Sequence, residues 1–138
     1  VDCTGERPVL LRTGAIPIEE LKKILPSIVK FSVEEDSALR SPGLRHRHYS
    51  PKAKVVFFDP HVDVDDNKSS AFIGINSPKV NFYLSKICNS TEEYARSVFE
   101  FFRECDRQGI EKIYCERVLA EGIGTALMDR LLRAGENQ

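Results

Sequence analysis

From Lys54 onward the apolar residues fall into short continuous runs alternating with two longer stretches of helical period. Val55-Val56-Phe57-Phe58, closed by Asp59-Pro60, predicts a strand buried on both faces, and Asp63 to Ser70 a polar loop. Ala71 to Ile75 predicts a second buried strand, ended by Asn76-Ser77-Pro78, and the alternation of Val80, Phe82 and Leu84 predicts a third, shorter one. Between Thr91 and Gln108, Tyr94, Val98, Phe101, Phe102 and Cys105 share one helical face. Ser90 with Glu93 makes a capping box at its start, and Gly109 supplies a stop. Ile113-Tyr114-Cys115 then reads as a strand, and Gly122 to Ala134 as a helix with Ile123, Leu127 and Leu131 inward and an Asp129–Arg133 pair. Strand, helix, strand, helix in that order predicts an α/β fold: a small parallel sheet with right-handed crossovers. The chain has no internal repeat.

Residues 1–25 have another texture: strand, turn, strand, short helix. Val9-Leu10-Leu11 runs into the turn signal Arg12-Thr13-Gly14. Pro17 suits the first helical position, Glu19 and Glu20 favour a helix start, and Ile18, Leu21 and Leu25 keep one face apolar until Pro26. Alone, this piece is too small to bury a core and must pack on something else. Residues 26–52 read as a connector whose charge reverses from Glu34-Glu35-Asp36 to Arg45-His46-Arg47-His48. The expected division is therefore 1–25, 26–52 and 53–138.

Composition narrows the possibilities. At 138 residues and 41% hydrophobic the chain has enough apolar surface for a real core, and a net charge of −1 excludes a generally cationic nucleic-acid or membrane surface. Any cationic function must come from a local patch. The four cysteines, Cys3, Cys88, Cys105 and Cys115, are widely spaced without a C-x-x-C pair, as expected of reduced, mostly buried thiols in a cytoplasmic protein. There is no apolar run of transmembrane length and no signal peptide, so no membrane partner is expected. Val1, in place of Met and already inside a strand-like pattern, suggests a fragment or processed product.

Most chemical motifs are weak. Glu121-Gly122-Ile123-Gly124 opens a helix after a strand, but it lacks the third glycine of a dinucleotide fingerprint, and Glu121 would repel a phosphate. Close packing of a helix start is the better reading. His61 with Asp59, Asp63, Asp65 and Asp66 lacks the glycine and terminal glutamate of a calcium loop, and His46 with His48 lacks a third ligand, so no metal site is assigned. Each cysteine lies in an apolar pattern that keeps a thiol inert, and no serine stands in a nucleophile elbow. No catalytic residue is assigned.

The cations remain. Arg12 precedes a glycine turn, and Arg45, Arg47, His48 and Tyr49 stand in a strap bounded by Ser41-Pro42 and Ser50-Pro51. Both prolines enforce extended backbone, so side chains rather than ladders carry the strap's purpose. Arginine forks bind phosphate, and tyrosine stacks on a base or bonds a phosphate. A solubilising linker would produce a similar patch, although a mere tether needs no proline restraint.

The stretch Ser41-Pro42-Gly43-Leu44-Arg45-His46-Arg47-His48-Tyr49-Ser50-Pro51-Lys52 resembles the linker of two-domain threonylcarbamoyl-AMP synthases. Val1 to Thr4 and Val9 to Ile16 are similar to the last strands of their YrdC-type catalytic domain, and Glu121 to Leu131 to the final helix of their C-terminal domain. His46, Leu44, Thr13 and Asp129 depart from the residues usual there. The resemblance implies a remnant of a YrdC-type α/β domain (1–25), an extended linker (26–52) and a C-terminal Rossmann-like domain (53–138). It also implies synthesis of threonylcarbamoyl-AMP and pyrophosphate from L-threonine, bicarbonate and ATP with Mg2+, feeding the machinery that modifies tRNA beside the anticodon. Arg12 and Tyr49 would contact the nucleotide, with Arg45, Arg47 and His48 ordering the strap as a lid. Most of the YrdC-type domain would lie upstream as a missing partner, so the chain alone is expected to be inactive. The C-terminal domain, which shows no convincing ligand loop, would regulate the enzyme or anchor the lid. The alternative is a non-catalytic nucleotide- or RNA-binding module, although RNA would call for more aromatics than Tyr49 within the strap.

Overall fold

A computed structural model of the chain describes residues 1–14, 16–31, 50–61 and 69–136. In chain order the elements are β1 (Val9–Leu10), α1 (Ile18–Ile24), β2 (Val29–Lys30), β3 (Lys54–Phe57), β4 (Ser70–Gly74), β5 (Leu84–Ile87), α2 (Thr91–Arg107), β6 (Lys112–Cys115) and α3 (Ile123–Glu136). They fall into two compact units, Val1–His48 and Tyr49–Gln138.

The first unit is thin. β1 and β2 pair in parallel, Val9 opposite Val29 and Leu10 opposite Lys30. β2 falls within the stretch read as connector, where a two-residue strand leaves no periodic signal. An antiparallel bridge joins Asp2 to Val9, and the Asp2 carboxylate accepts from the Thr4 amide at 2.9 Å, closing the turn at the start. Pro17 takes the N-cap with ψ 154° rather than the first helical position; as the cap it needs no amide of its own. α1 has acids in its first turn and lysines in its last, and it stops at Leu25 before Pro26. None of its residues is buried; among the described hydrophobic residues of this unit only Leu10 and Ile28 are.

In the second unit all four strands run parallel, in the order β3-β6-β4-β5. The pleat divides their side chains between two faces. Val55, Ala71, Ile73, Ile113 and Cys115 pack against Tyr94, Val98, Phe102 and Cys105 of α2 and Leu127 and Leu131 of α3 in one core. Both helices therefore lie on the same face. The other face is aromatic: Phe58, Phe72 and Tyr114 are joined by Phe82, whose ring stacks on Phe72 with centroids 5.3 Å apart.

Three strand expectations change. β4 is central and buried throughout, as read, but it starts at Ser70, which the sequence assigned to a loop. β3 stands at the edge of the sheet, so Val56 and Phe57 are only half-buried rather than enclosed on both faces. The third strand is Leu84–Ile87; Val80 and Phe82 belong to the return from β4, where Phe82 covers the aromatic face instead of pairing.

α2 follows local rules closely. Ser90 Oγ accepts from the Glu93 amide at 3.2 Å, whereas the Glu93 carboxylate reaches the Asn89 amide at 2.8 Å, one residue before the cap. At the other end Gly109 (φ 67°) turns the chain. Its amide bonds Asp106 O and that of Ile110 bonds Cys105 O, a Schellman closure. The Asp129–Arg133 pair of α3 forms, with Nε–Oδ2 at 3.0 Å.

Candidate functional site

Arg12 lies just beyond β1 with its side chain exposed, and Gly14 beside it has open space around it. Arg45, Arg47, His48 and Tyr49 lie outside the described residues, as do His46, Asp63, Asp65 and Asp66. Where description resumes, the strap's exit is fastened to the second unit. Ser50 Oγ donates to Ala134 O at 3.3 Å, Pro51 and Ala53 are buried, and the Lys52 amide donates to the Asp106 carboxylate at 2.8 Å. A buried proline flanked by two hydrogen bonds to different helices gives Tyr49 a fixed neighbour.

A second feature was not foreseen. A cleft of about 500 Å3 opens at the carboxyl ends of the strands, and its described lining includes Phe58 and His61 beyond β3, Asn76 to Val80 beyond β4, and Glu116 and Arg117 beyond β6. Glu116 organises it. Its carboxylate accepts from the amides of Ile75 and Asn76 and from Asn76 Nδ2, tying the loop after β4 to the end of β6. The buried Tyr94 hydroxyl donates to the Glu116 carbonyl at 3.3 Å, supporting the backbone beneath it. Burial pushes the Tyr94 phenol well above its usual range, so it stays a donor. Gly74 leaves the room that the Glu116 side chain fills. Arg117 stacks on Phe57, its guanidinium carbon 3.9 Å from the ring centroid. The sequence carried one hint of this cleft, a polar loop ending a buried parallel strand. The contact between Glu116 and residues 75–76 depends on strand order and is not a sequence signal.

A Cβ on Gly124 would collide with Leu119 O, so this glycine serves close packing at the start of α3, whereas Gly122 has open space around it and supplies a left-handed turn at φ 53°. Among the described residues no cluster of three or more His, Cys, Asp or Glu side chains could hold a metal. Cys88, Cys105 and Cys115 are buried; desolvation raises all three thiols, Cys105 and Cys115 to about 12. Cys3 is exposed, contrary to the reading of every cysteine as part of an apolar pattern; its neighbours Asp2 and Thr4 bond each other in a turn.

Comparison with known proteins places this geometry. The family model described as the threonylcarbamoyl-AMP synthase C-terminal domain matches residues 16–135. A threonylcarbamoyl-AMP synthase from Pyrococcus abyssi is 33% identical over 153 aligned positions, covering 97% of this chain and 44% of that protein. The synthase from Schizosaccharomyces pombe is 28% identical, covering 92% of this chain and 39% of its own length. A solved structure of P. abyssi Sua5, altered to alanine at a histidine and at the tyrosine after it, superposes with a TM-score of 0.71 at 28% identity over 98% of this chain and 43% of that one. The chain thus spans less than half the length of these relatives, and it belongs to the threonylcarbamoyl-AMP synthase family as a counterpart of its C-terminal part.

Proposed function

We propose that the chain works as the C-terminal portion of an enzyme that makes threonylcarbamoyl-AMP and pyrophosphate from L-threonine, bicarbonate and ATP, for threonylcarbamoyladenosine in tRNA. The family match across residues 16–135 carries this reading. The strap serves as a lid: Arg45, Arg47 and His48 order it, and Tyr49 with Arg12 contacts the nucleotide. Two observations support that role. The strap's exit is hydrogen-bonded at Ser50 and Lys52, giving a lid a fixed end to close from. The solved relative was altered at a histidine–tyrosine pair, and the one such dipeptide here is His48-Tyr49.

The chemistry asks little else of these residues. Adenylyl transfer requires that the triphosphate be held and its charge neutralised while pyrophosphate departs, which forks and a closing segment accomplish by positioning and electrostatics. Mg2+ would accompany the ATP on its phosphates, and no residue of this chain is assigned to it. The YrdC-type partner region supplies the rest of the pocket, so the 138-residue chain alone is inactive, and the setting is cytoplasmic. No helix among the described residues is long and apolar enough to cross a membrane.

The test joins the chain to its upstream catalytic region, supplies ATP, L-threonine and bicarbonate, and follows pyrophosphate. Tyr49→Ala is expected to lower kcat/KM by about tenfold or more, the loss of one positioned contact. A joined protein that releases no pyrophosphate refutes the enzyme reading and favours a nucleotide- or RNA-binding module.

A further inference from the structure

Open parallel sheets bind ligands outside the carboxyl ends of their strands, where neighbouring strands send their connections to opposite faces. This sheet has that arrangement at β6 and β4. β6 leads into α3, which packs on the helix-bearing face, whereas the return from β4 puts Phe82 on the aromatic face. The cleft lies where they part, and its volume of about 500 Å3 is within the range of small-molecule sites.

We propose that this cleft is a second ligand site, separate from the strap, for a small molecule joining an anionic group to a hydroxyl or ammonium donor. The backbone amides at the end of β4, which would otherwise receive an anion, are already occupied by Glu116. The anion is therefore left to the side chains of Lys79 and Arg117, with His61 in the same lining. Three donors to the Glu116 carboxylate spread its charge and blunt its repulsion of an anion nearby. A carboxylate has about four acceptor positions, so one remains on Glu116 to accept from a ligand hydroxyl or ammonium. Asp59, two residues before His61, accepts from the His61 amide on Oδ1 at 2.9 Å. Phe58, Pro78 and Val80 add apolar wall, which excludes water and strengthens the polar contacts.

The test is an amide-shift titration of the isotope-labelled 138-residue chain with AMP and, separately, L-threonine; each pairs an anion with such a donor. One of them is expected to shift the Ile75, Asn76 and Ser77 amides saturably at about 1 mM, and the one that does identifies the source. Lys79 is exposed, so Lys79→Ala retains the fold. It should weaken binding about tenfold, Arg117→Ala similarly, while Lys79→Arg keeps most of the affinity. Inorganic phosphate, lacking the separate donor, should bind more weakly. The site is refuted if neither ligand shifts these amides up to about 10 mM, if Lys79→Ala leaves affinity unchanged, or if phosphate binds as well. Because the readout is binding by this chain and not pyrophosphate release by the joined enzyme, either reading can fail without the other.

Discussion

Gly74 sets the cleft at the scale of single residues. A Cβ there would overlap the Glu116 carboxylate and lie 2.8 Å from the Phe72 ring, at a buried position with no slack. Gly74→Ala should therefore lower stability by about 1–3 kcal/mol in urea unfolding, as overpacking of a filled site does. Gly14→Ala, with nothing within 4 Å of its added carbon, should stay close to the parent and serves as the control. Gly124 was legible as part of a packed helix start, since strand, glycine pair and helix are neighbours in sequence, whereas Gly122 serves a left-handed turn with open space around it. Gly74 was not legible, because its reason is the Glu116 side chain, just beyond a strand distant in sequence. The thiols divide in the same way. With three buried and Cys3 exposed, a thiol reagent at about pH 8 should label one cysteine of the four in the folded chain and all four after denaturation. The folded values of Cys105 and Cys115, raised from 9.0 to about 12, make the protonated thiols part of the fold. That contribution is whole below about pH 9 and is lost as pH rises toward 12. Urea midpoints should fall across that window, and less steeply in Cys105→Ala.

Among the elements, α2 was readable almost to the residue because cap, stripe and stop are local. Ser90→Ala removes the bond from the Glu93 amide and should cost about 1 kcal/mol in the same unfolding assay. Glu93 adds a pH signature. Bonds from the Asn89 amide and side chain hold its carboxyl below the usual 4.5, with Lys86 assisting. A lowered folded value stabilises above the unfolded one, and the stabilisation disappears as pH falls through the folded value. Stability should therefore decline less between about pH 5 and pH 3 in Glu93→Gln than in the parent, measured by urea midpoint at each pH. The strands were less readable. β5 begins only where the return loop reaches the Ser70 carbonyl through the Tyr83 amide, a contact no alternation can announce. β3 carries the composition of a central strand yet sits at an edge, and strand order is set by crossovers rather than by either strand's residues.

At the scale of the whole molecule, the two units differ in how much each buries. Tyr49–Gln138 carries a continuous core in which Tyr94, Ile73, Ile113, Leu127 and Leu131 are all under 2% exposed. In Val1–His48 the described buried hydrophobics are Leu10 and Ile28, while Ile24 is 80% exposed. The texture change at Lys54 made this contrast legible, because a buried parallel sheet needs unbroken apolar runs and the first unit has only one. For the strap the sequence offered only what a family resemblance implies, since its residues lack periodicity and their chemistry needs a ligand to define it. Opening free energies should follow buried area, with core strands and helices near the global value and thinly packed pairs near zero. Hydrogen exchange on the 138-residue chain should therefore show the amides of β4, β6 and the middle of α2 protected up to global unfolding. Those of β1 and β2 should exchange faster by orders of magnitude, despite their regular pairing. On the proposed function, joining a YrdC-type region upstream should then slow exchange at β1 and β2 and leave β4 unchanged. Equal protection of β1 and β4 in the 138-residue chain would mean that the first unit draws its stability from something other than its own buried side chains.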